Sequence, residues 1–325
     1  MVAWKRMRAA VVVMWACASM VACAGSSRED RGKTRGVAMN ENHNSDAQCI
    51  GRFQFSAPEV FQVTRRSQTI YRVEVSTIPL PSGGAPAAWQ DRLARIRGGT
   101  LQPGTADPIV KTFELQPGMP AVWFIGDTDS PQLRNLQALK PVGNHFVQAD
   151  ALADAGQETL AEGLVRGILN AYHPGTSQGF CIGYGSITLE PAQIEKTSLE
   201  LTHRKLADLK LRFDTQTVKE PDTKTLSTVE EEDLVIGAKD GRMSVLRNQP
   251  RIAAGLSGTE IRISVLVPGE PPFVRFSWHF PGAPINGVKP QIDIVGSAPT
   301  EQQSELETVW EAILQSLRPV PLAPR

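Results

Sequence analysis

The side chains able to do chemistry are few and poorly placed for it. The chain has 325 residues with 5 histidines and 4 cysteines. His43, His145, His173, His203 and His279 are scattered, and no two have the spacing that puts metal ligands on one helix face. There is no His-Glu-x-x-His helix, no Gly-x-Ser-x-Gly elbow and no phosphate-cradling glycine loop. The nearest serine context, Gly183-Tyr184-Gly185-Ser186, lacks the second flanking glycine. Asp127-Thr128-Asp129-Ser130 lacks the turn glycine and closing glutamate of a calcium loop, and reads as a turn cap. His43 and His279 are read as solvated. No catalytic residue, metal site or cofactor is expected.

The cysteines carry more information. Lys5, Arg6 and Arg8 precede an apolar stretch of residues 9–21, too short to span a bilayer with ease and suited to a signal segment. Val21-Ala22-Cys23-Ala24 follows and resembles a bacterial lipobox. Residues 1–22 are read as a lipoprotein signal peptide and Cys23 as the lipidated residue. Ala24, in place of Asp, implies the inner leaflet of the outer membrane. Acyl chains at about 0.8 kcal/mol per buried CH₂ would make lipid the membrane anchor. Residues 23–47 are polar and without period, a flexible tether of roughly 25–30 Å. Cys49 and Cys181 then remain in an oxidising compartment. A disulfide between them is the economical reading, and two separate buried thiols are the alternative.

Lys+Arg and Asp+Glu are equal at 34 each. Losing the signal's three basic residues leaves a slightly acidic chain, about −3. That charge excludes a general nucleic-acid binder, which must neutralise many phosphates. The one acidic block, Glu230-Glu231-Glu232-Asp233, is either a contact for a basic partner or a solvated helix face.

Periodicity places these residues on elements. Residues 70–75 alternate as a strand with Tyr71, Val73 and Val75 on one face. Pro86 opens a helix with Trp89, Leu93 and Ile96 at helical spacing. Residues 121–125 form a buried strand, and residues 156–172 form a helix with Leu160, Leu164, Ile168 and Tyr172 on its stripe. Gly163 and Gly167 on that helix suggest close backbone packing. Strands follow at 199–201, 209–213, 260–267 and 273–280, with a capping-box pair at Ser227 and Glu230 between them. Thr300 and Gln303 have capping-box spacing ahead of a helix carrying Leu306, Val309, Trp310, Ile313, Leu314 and Leu317. Cys49-Ile50-Gly51 and Cys181-Ile182-Gly183 open two halves of similar layout, the mark of a degenerate duplication. The expected fold is α+β: two domains, 48–175 and 176–325, each a mainly antiparallel sheet covered by helices.

Cys49-Ile50-Gly51-Arg52-Phe53, Ser56-Ala57-Pro58 and Gly179-Phe180-Cys181 resemble the domain-opening motifs of one immunity-protein family. Its members neutralise lipase effectors of the type VI secretion system (the Tli family, class four). Phe280-Pro281-Gly282, Lys289-Pro290-Gln291 and the terminal helix stand in the same order. The resemblance implies a periplasmic binding protein and not an enzyme. Its partner would be a cognate lipase effector, gripped in a claw-like arrangement that keeps the lid or active-site entrance shut. Contact edges would then be the loops 79–86, 268–273 and 281–290. Phe273, Trp89 and the block Glu230 to Asp233 are the first contact candidates, although Trp89 on its apolar stripe reads better as core. The competing reading is an envelope lipoprotein that binds lipid or acts in envelope assembly.

Overall fold

The computed structural model describes residues 47–99, 107–127, 130–175, 178–191, 194–221 and 242–322. Cys23, the tether up to Asp46 and the block Glu230 to Asp233 lie outside the described residues.

The first half runs through a hairpin of β1 (Ala47–Ile50) and β2 (Phe53–Ser56), then β3 (Phe61–Ile70) and β4 (Val73–Pro79). It continues with α1 (Gly84–Gly99), β5 (Ile109–Gln116), β6 (Met119–Phe124), β7 (Leu133–Val142) and β8 (His145–Asp154). Helix α2 (Glu158–Asn170) and β9 (Tyr172–Pro174) close it. The second half opens on another hairpin, β10 (Phe180–Ile182) and β11 (Gly185–Ile187). It proceeds through β12 (Glu195–His203), β13 (Lys210–Gln216), β14 (Met243–Ala253), β15 (Leu256–Val265), β16 (Phe273–Phe280) and β17 (Gln291–Pro299). A 3₁₀ turn at Thr300–Gln302, α3 (Gln303–Ser316) and β18 (Arg318–Pro319) end it.

One antiparallel sheet carries both halves. Its order is β14-β15-β16-β17-β13-β12-β3-β4-β8-β7-β6-β5. Reading outward from the central β3–β12 pair, each half has the same sequence of connections, so the duplication suspected from two Cys-Ile-Gly triplets is present in the topology. Strands read as the physics of a sheet with one buried face requires: in β12, Thr197, Leu199 and Leu201 are buried while the residues between them are not.

Two main apolar cores form, and the opening hairpins cross between them. Ile50, Phe53 and Phe55 from β1 and β2 pack with Leu199, Phe213, Trp278 and Trp310 of the second half. Phe180, Ile182 and Ile187 from β10 and β11 pack with Val75, Leu136, Val165 and Ile168 of the first. The small sheets follow the same exchange: β1 and β2 pair with the C-terminal β18, whereas β10 and β11 pair with β9.

Helix α3 buries Leu306, Val309, Trp310, Ile313 and Leu314. Each such side chain contributes about 1.5–3 kcal/mol on burial. Leu317, just past the helix, is also buried.

Several local expectations change. Residues 70–75 are not one strand: Tyr71 and Arg72 form a two-residue turn between β3 and β4, with φ of 50° and 67°. In α2 the buried stripe is Ala161, Val165, Ile168 and Leu169, and Leu160 is exposed. The helix packs against β8 and β7, where alanines such as Ala138 and Ala149 admit it closely. Gly163 and Gly167 face open space, so they bring no backbone close. The Thr300–Gln303 capping box is not made: α3 starts after a 3₁₀ turn, and the Gln303 amide donates to Glu307 instead.

Candidate partner-binding surface

The residues that carry the sequence motifs meet at a seam between the halves. Cys49 and Cys181 form a disulfide across 132 residues of sequence, with Cα atoms 5.8 Å apart. Cys181 N–H donates to Gly51 carbonyl oxygen at 2.6 Å. Gly51 is left-handed, at φ +56°, and a Cβ there would stand 2.8 Å from Thr197 Cγ2. Arg52 donates to both Glu195 oxygens, at 2.9 and 2.7 Å. Arg52 also lies over the Phe180 ring at 6.0 Å. Beneath it, β3 and β4 pair only at Thr69–Glu74 and Ile70–Val73. Beyond those pairs the disulfide hairpin engages both strands: Gln68 Nε2 donates to Cys181 carbonyl oxygen at 2.6 Å, and Gly183 lies against Thr77. These motif residues hold the halves together. Gly51, Arg52, Phe180 and Cys181 among them are buried away from any partner.

A second polar cluster fixes α3 to the sheet edge. The Glu260 carboxylate, fully buried, accepts from Arg262, Arg251 and Trp310 Nε1 at 2.7, 3.1 and 2.8 Å. Glu311 on α3 accepts from Arg251 and Arg262 at 2.6–2.9 Å. Burial alone would raise the Glu260 carboxyl, but these hydrogen bonds outweigh it and hold the group below its ordinary value. The hydrogen bonds from Arg251 lower the Glu311 carboxyl to about 2. The sequence marks Arg52 as part of a motif and Trp310 as part of a helix stripe, but gives no sign of Glu195, Glu260, Arg251, Arg262 or Glu311. Charged residues on strands look solvated until their partners, 49 to 143 residues away, are known.

Three of the described histidines are held by local contacts. His279 was read as solvated, yet it is buried and its Nδ1 stands 2.6 Å from Asp293 Oδ1. His145 Nε2 pairs with Tyr172 Oη at 2.8 Å, and His203 Nδ1 accepts from the Lys205 and Leu206 amides. Among the described residues no cluster of three His, Cys, Asp or Glu is placed to hold a metal ion. No described helix is long and apolar enough to cross a membrane.

The contact candidates fall apart in space. Phe273 begins β16, pairing with Val265 and Pro299, and is half-buried. The loop 281–290 leaves the other end of the same strand, about 24 Å away at 3.4 Å per residue. Trp89 packs with Leu93, Ile96 and Val122 and belongs to a small core. Loop 281–290 is internally fixed: Ala283 N–H donates to Lys289 carbonyl oxygen, and Asn286 Oδ1 accepts from the Val288 and Lys289 amides. It presents Ile285 and Val288 to solvent.

The comparisons with known proteins agree with this architecture. Residues 174–321 match the family described as Tle cognate immunity protein 4 C-terminal domain. The fold around them is shared too. A chain of the crystal structure of a Tle4–Tli4 complex superposes with a TM-score of 0.70 at 14% identity, covering 85% of this chain and 98% of that one. The apo immunity protein TplEi of the type VI secretion system of Pseudomonas aeruginosa gives 0.67 at 15% identity, covering 87% and 99%. The same protein with an "L" peptide gives 0.66 at 16%, covering 85% and 98%. No curated protein matches the sequence. Both TplEi structures are described as immunity proteins. The Gly179-Phe180-Cys181 and Phe280-Pro281-Gly282 motifs both fall within the matched immunity segment.

Proposed function

We propose that this chain is a periplasmic lipoprotein that binds and inhibits a cognate type VI secretion lipase effector, sparing the cell that makes both. The observation that carries this reading is the immunity-family match over residues 174–321. The shared fold with a chain solved in a Tle4–Tli4 complex supports it. Lipid on Cys23 would tether the body near the membrane that such an effector attacks, raising its effective concentration there. The two halves, joined at the Cys49–Cys181 seam, would grip the effector in a claw-like arrangement and block its lid or active-site entrance. An interface engaging both would bury about 1,600 Å² or more.

The lipid-carrier reading finds less support. The apolar cavity lined by Phe55, Leu199, Phe213, Ile294 and Ile313 has about 10 Å³, room for one water at most. The larger 440 Å³ groove is open and mixed: Leu201, Leu211 and Val295 share it with the charged Glu200, Lys210 and Arg212, which an acyl chain would have to lie against.

The test is direct. The purified full chain is titrated against the lipase encoded beside its gene, following complex formation and hydrolysis of phospholipid vesicles. The reading requires a stable complex and loss of hydrolysis; hydrolysis unchanged at saturating chain overturns it. Metabolic labelling with palmitate, lost in Cys23→Ala, checks the anchor.

A further inference from the structure

One end of the second half's sheet gathers features that nothing in its fold requires. At that end lie the last residue of β3, the first of β12, the last of β13, the first of β17, the last of β16 and the β14–β15 turn. Backbone hydrogen bonds continue the line past the strands. Tyr71 N–H donates to Ile194 carbonyl oxygen at 2.9 Å, Thr217 N–H to Glu195 at 2.9 Å, and Ile285 N–H to Val218 at 2.7 Å. The row spans seven strands, about 29 Å at 4.8 Å per strand.

All four non-glycine residues with positive φ among the described residues sit here: Tyr71, Arg72, Ala254 and Ile285. A two-residue turn with both φ positive favours Asn-Gly, and a β-branched residue in this region is a genuine outlier. Such backbone costs stability and persists where function uses it. Tyr71, Arg72 and Ile285 are exposed, with Ile194 and Ile252 beside them, while Ala254 is half-buried. Ile194 is 46% accessible, Ile285 55% and Ile252 73%. Tyr71 and Arg72 are exposed too, and Tyr and Arg are the types enriched where protein interfaces concentrate their energy.

The internal duplication supplies a control. The topologically equivalent end of the first half closes β5 on β6 with Gly118 at φ +76°, and β7 on β8 with Gly143 at φ +57°. Where the first half uses a two-residue turn at Gly143-Asn144, the second uses the ten-residue loop 281–290. The second copy turns β14 into β15 through Ala254 and Gly255 at φ +53° and +73° and holds the β-branched Ile285 at φ +47°, while the Tyr71-Arg72 turn joins the row from the first half.

We infer that this sheet end, led by Tyr71, Arg72, Ile194 and Ile285, is the surface that seats the effector protein, a deepening that rests on the proposed function. Exposed Arg72, Lys219 and Lys289 against Glu220 make the rim basic, so the matching face on the effector is an apolar patch flanked by carboxylates.

The experiment uses the full chain and its cognate effector. The double variant Tyr71→Asn with Arg72→Gly, and Ile285→Asn, place turn-compatible residues in the left-handed positions. Each melts no earlier than the parent, while effector Kd rises at least about tenfold. Arg72→Glu and Lys289→Glu, which leave the core untouched, carry the same test if a turn variant melts early. Val245→Asn at the opposite end leaves Kd unchanged. If the parent binds and all these variants bind equally, the surface is wrong and the function stands. If the parent binds no effector, both fall. If the variants keep effector binding but lose binding to phosphatidylglycerol vesicles, the rim faces a membrane and the inference is overturned.

Discussion

Arg52 and Glu195, 143 residues apart in sequence, form a two-pronged ion pair with both side chains more than nine-tenths buried. The pair joins the turn after β1 to the first residue of β12, where the two halves meet. Removing one partner strands the other charge in the interior. Arg52→Met is expected to cost about 3–5 kcal/mol, and Arg52→Met with Glu195→Leu to recover much of it. Urea unfolding of the single and double variants measures this; equal losses in both would show that packing, and not the stranded charge, sets the cost.

The disulfide closes a loop of 132 residues. Constraining the unfolded chain to that degree contributes about 4–5 kcal/mol in the loop-entropy treatment. Cys49→Ser with Cys181→Ser should lower the denaturant midpoint accordingly, and a reducing agent should have the same effect on the parent and none on the variant.

Glu260 holds three arginines and Trp310 at the base of α3. Glu260→Gln leaves Arg251 and Arg262 short of a counter-charge and should destabilise by about 3 kcal/mol or more. Hydrogen exchange should quicken first in α3, since that cluster ties the helix to β14 and β15. Uniform exchange across the chain would count against a local role.

The Glu311 carboxyl is lowered from 4.5 to about 2 by hydrogen bonds from Arg251 and Arg262. A depressed folded value adds stability that is present above the unfolded value and lost as pH falls through the folded one. The parent should therefore lose stability between about pH 4.5 and 2, and Glu311→Gln should show a shallower fall over that window. Identical acid profiles would remove Glu311 from the account.

Two glycines should respond in opposite directions to alanine. Gly183 has φ +46°, and a Cβ would fall 1.7 Å from Thr77 Oγ1, so Gly183→Ala should destabilise the seam severely. Gly163 on α2 meets nothing within 4 Å, and Gly163→Ala should stabilise by up to about 1 kcal/mol. Thermal melts of both variants check the pair.

Local pattern alone was enough for the three described helices and several buried strands. Trp310 and Ile313 on one stripe announce α3 because a helix must bury one face against something. The turn at Tyr71-Arg72 was hidden, since alternation through Ile70 to Val75 is what a single strand also produces. The motif residues could be found but not assigned: Gly51, Arg52 and Cys181 stand in short motifs that resemble those of a family, and only their contacts show that they act as fasteners.

What the sequence determined, then, was which segments are apolar, how their periods place them on helices and strands, and which short motifs resemble those of known proteins. The tertiary structure decided the rest. It joined both halves into one sheet, crossed their opening hairpins, buried His279 beside Asp293, and lined Tyr71, Ile194 and Ile285 along one edge. The physical reason is range. Side-chain period and helix stripes act over a few residues. Strand order, ion pairs across 143 residues and the choice of exposed rim depend on burial and hydrogen bonding between segments that sequence does not place side by side.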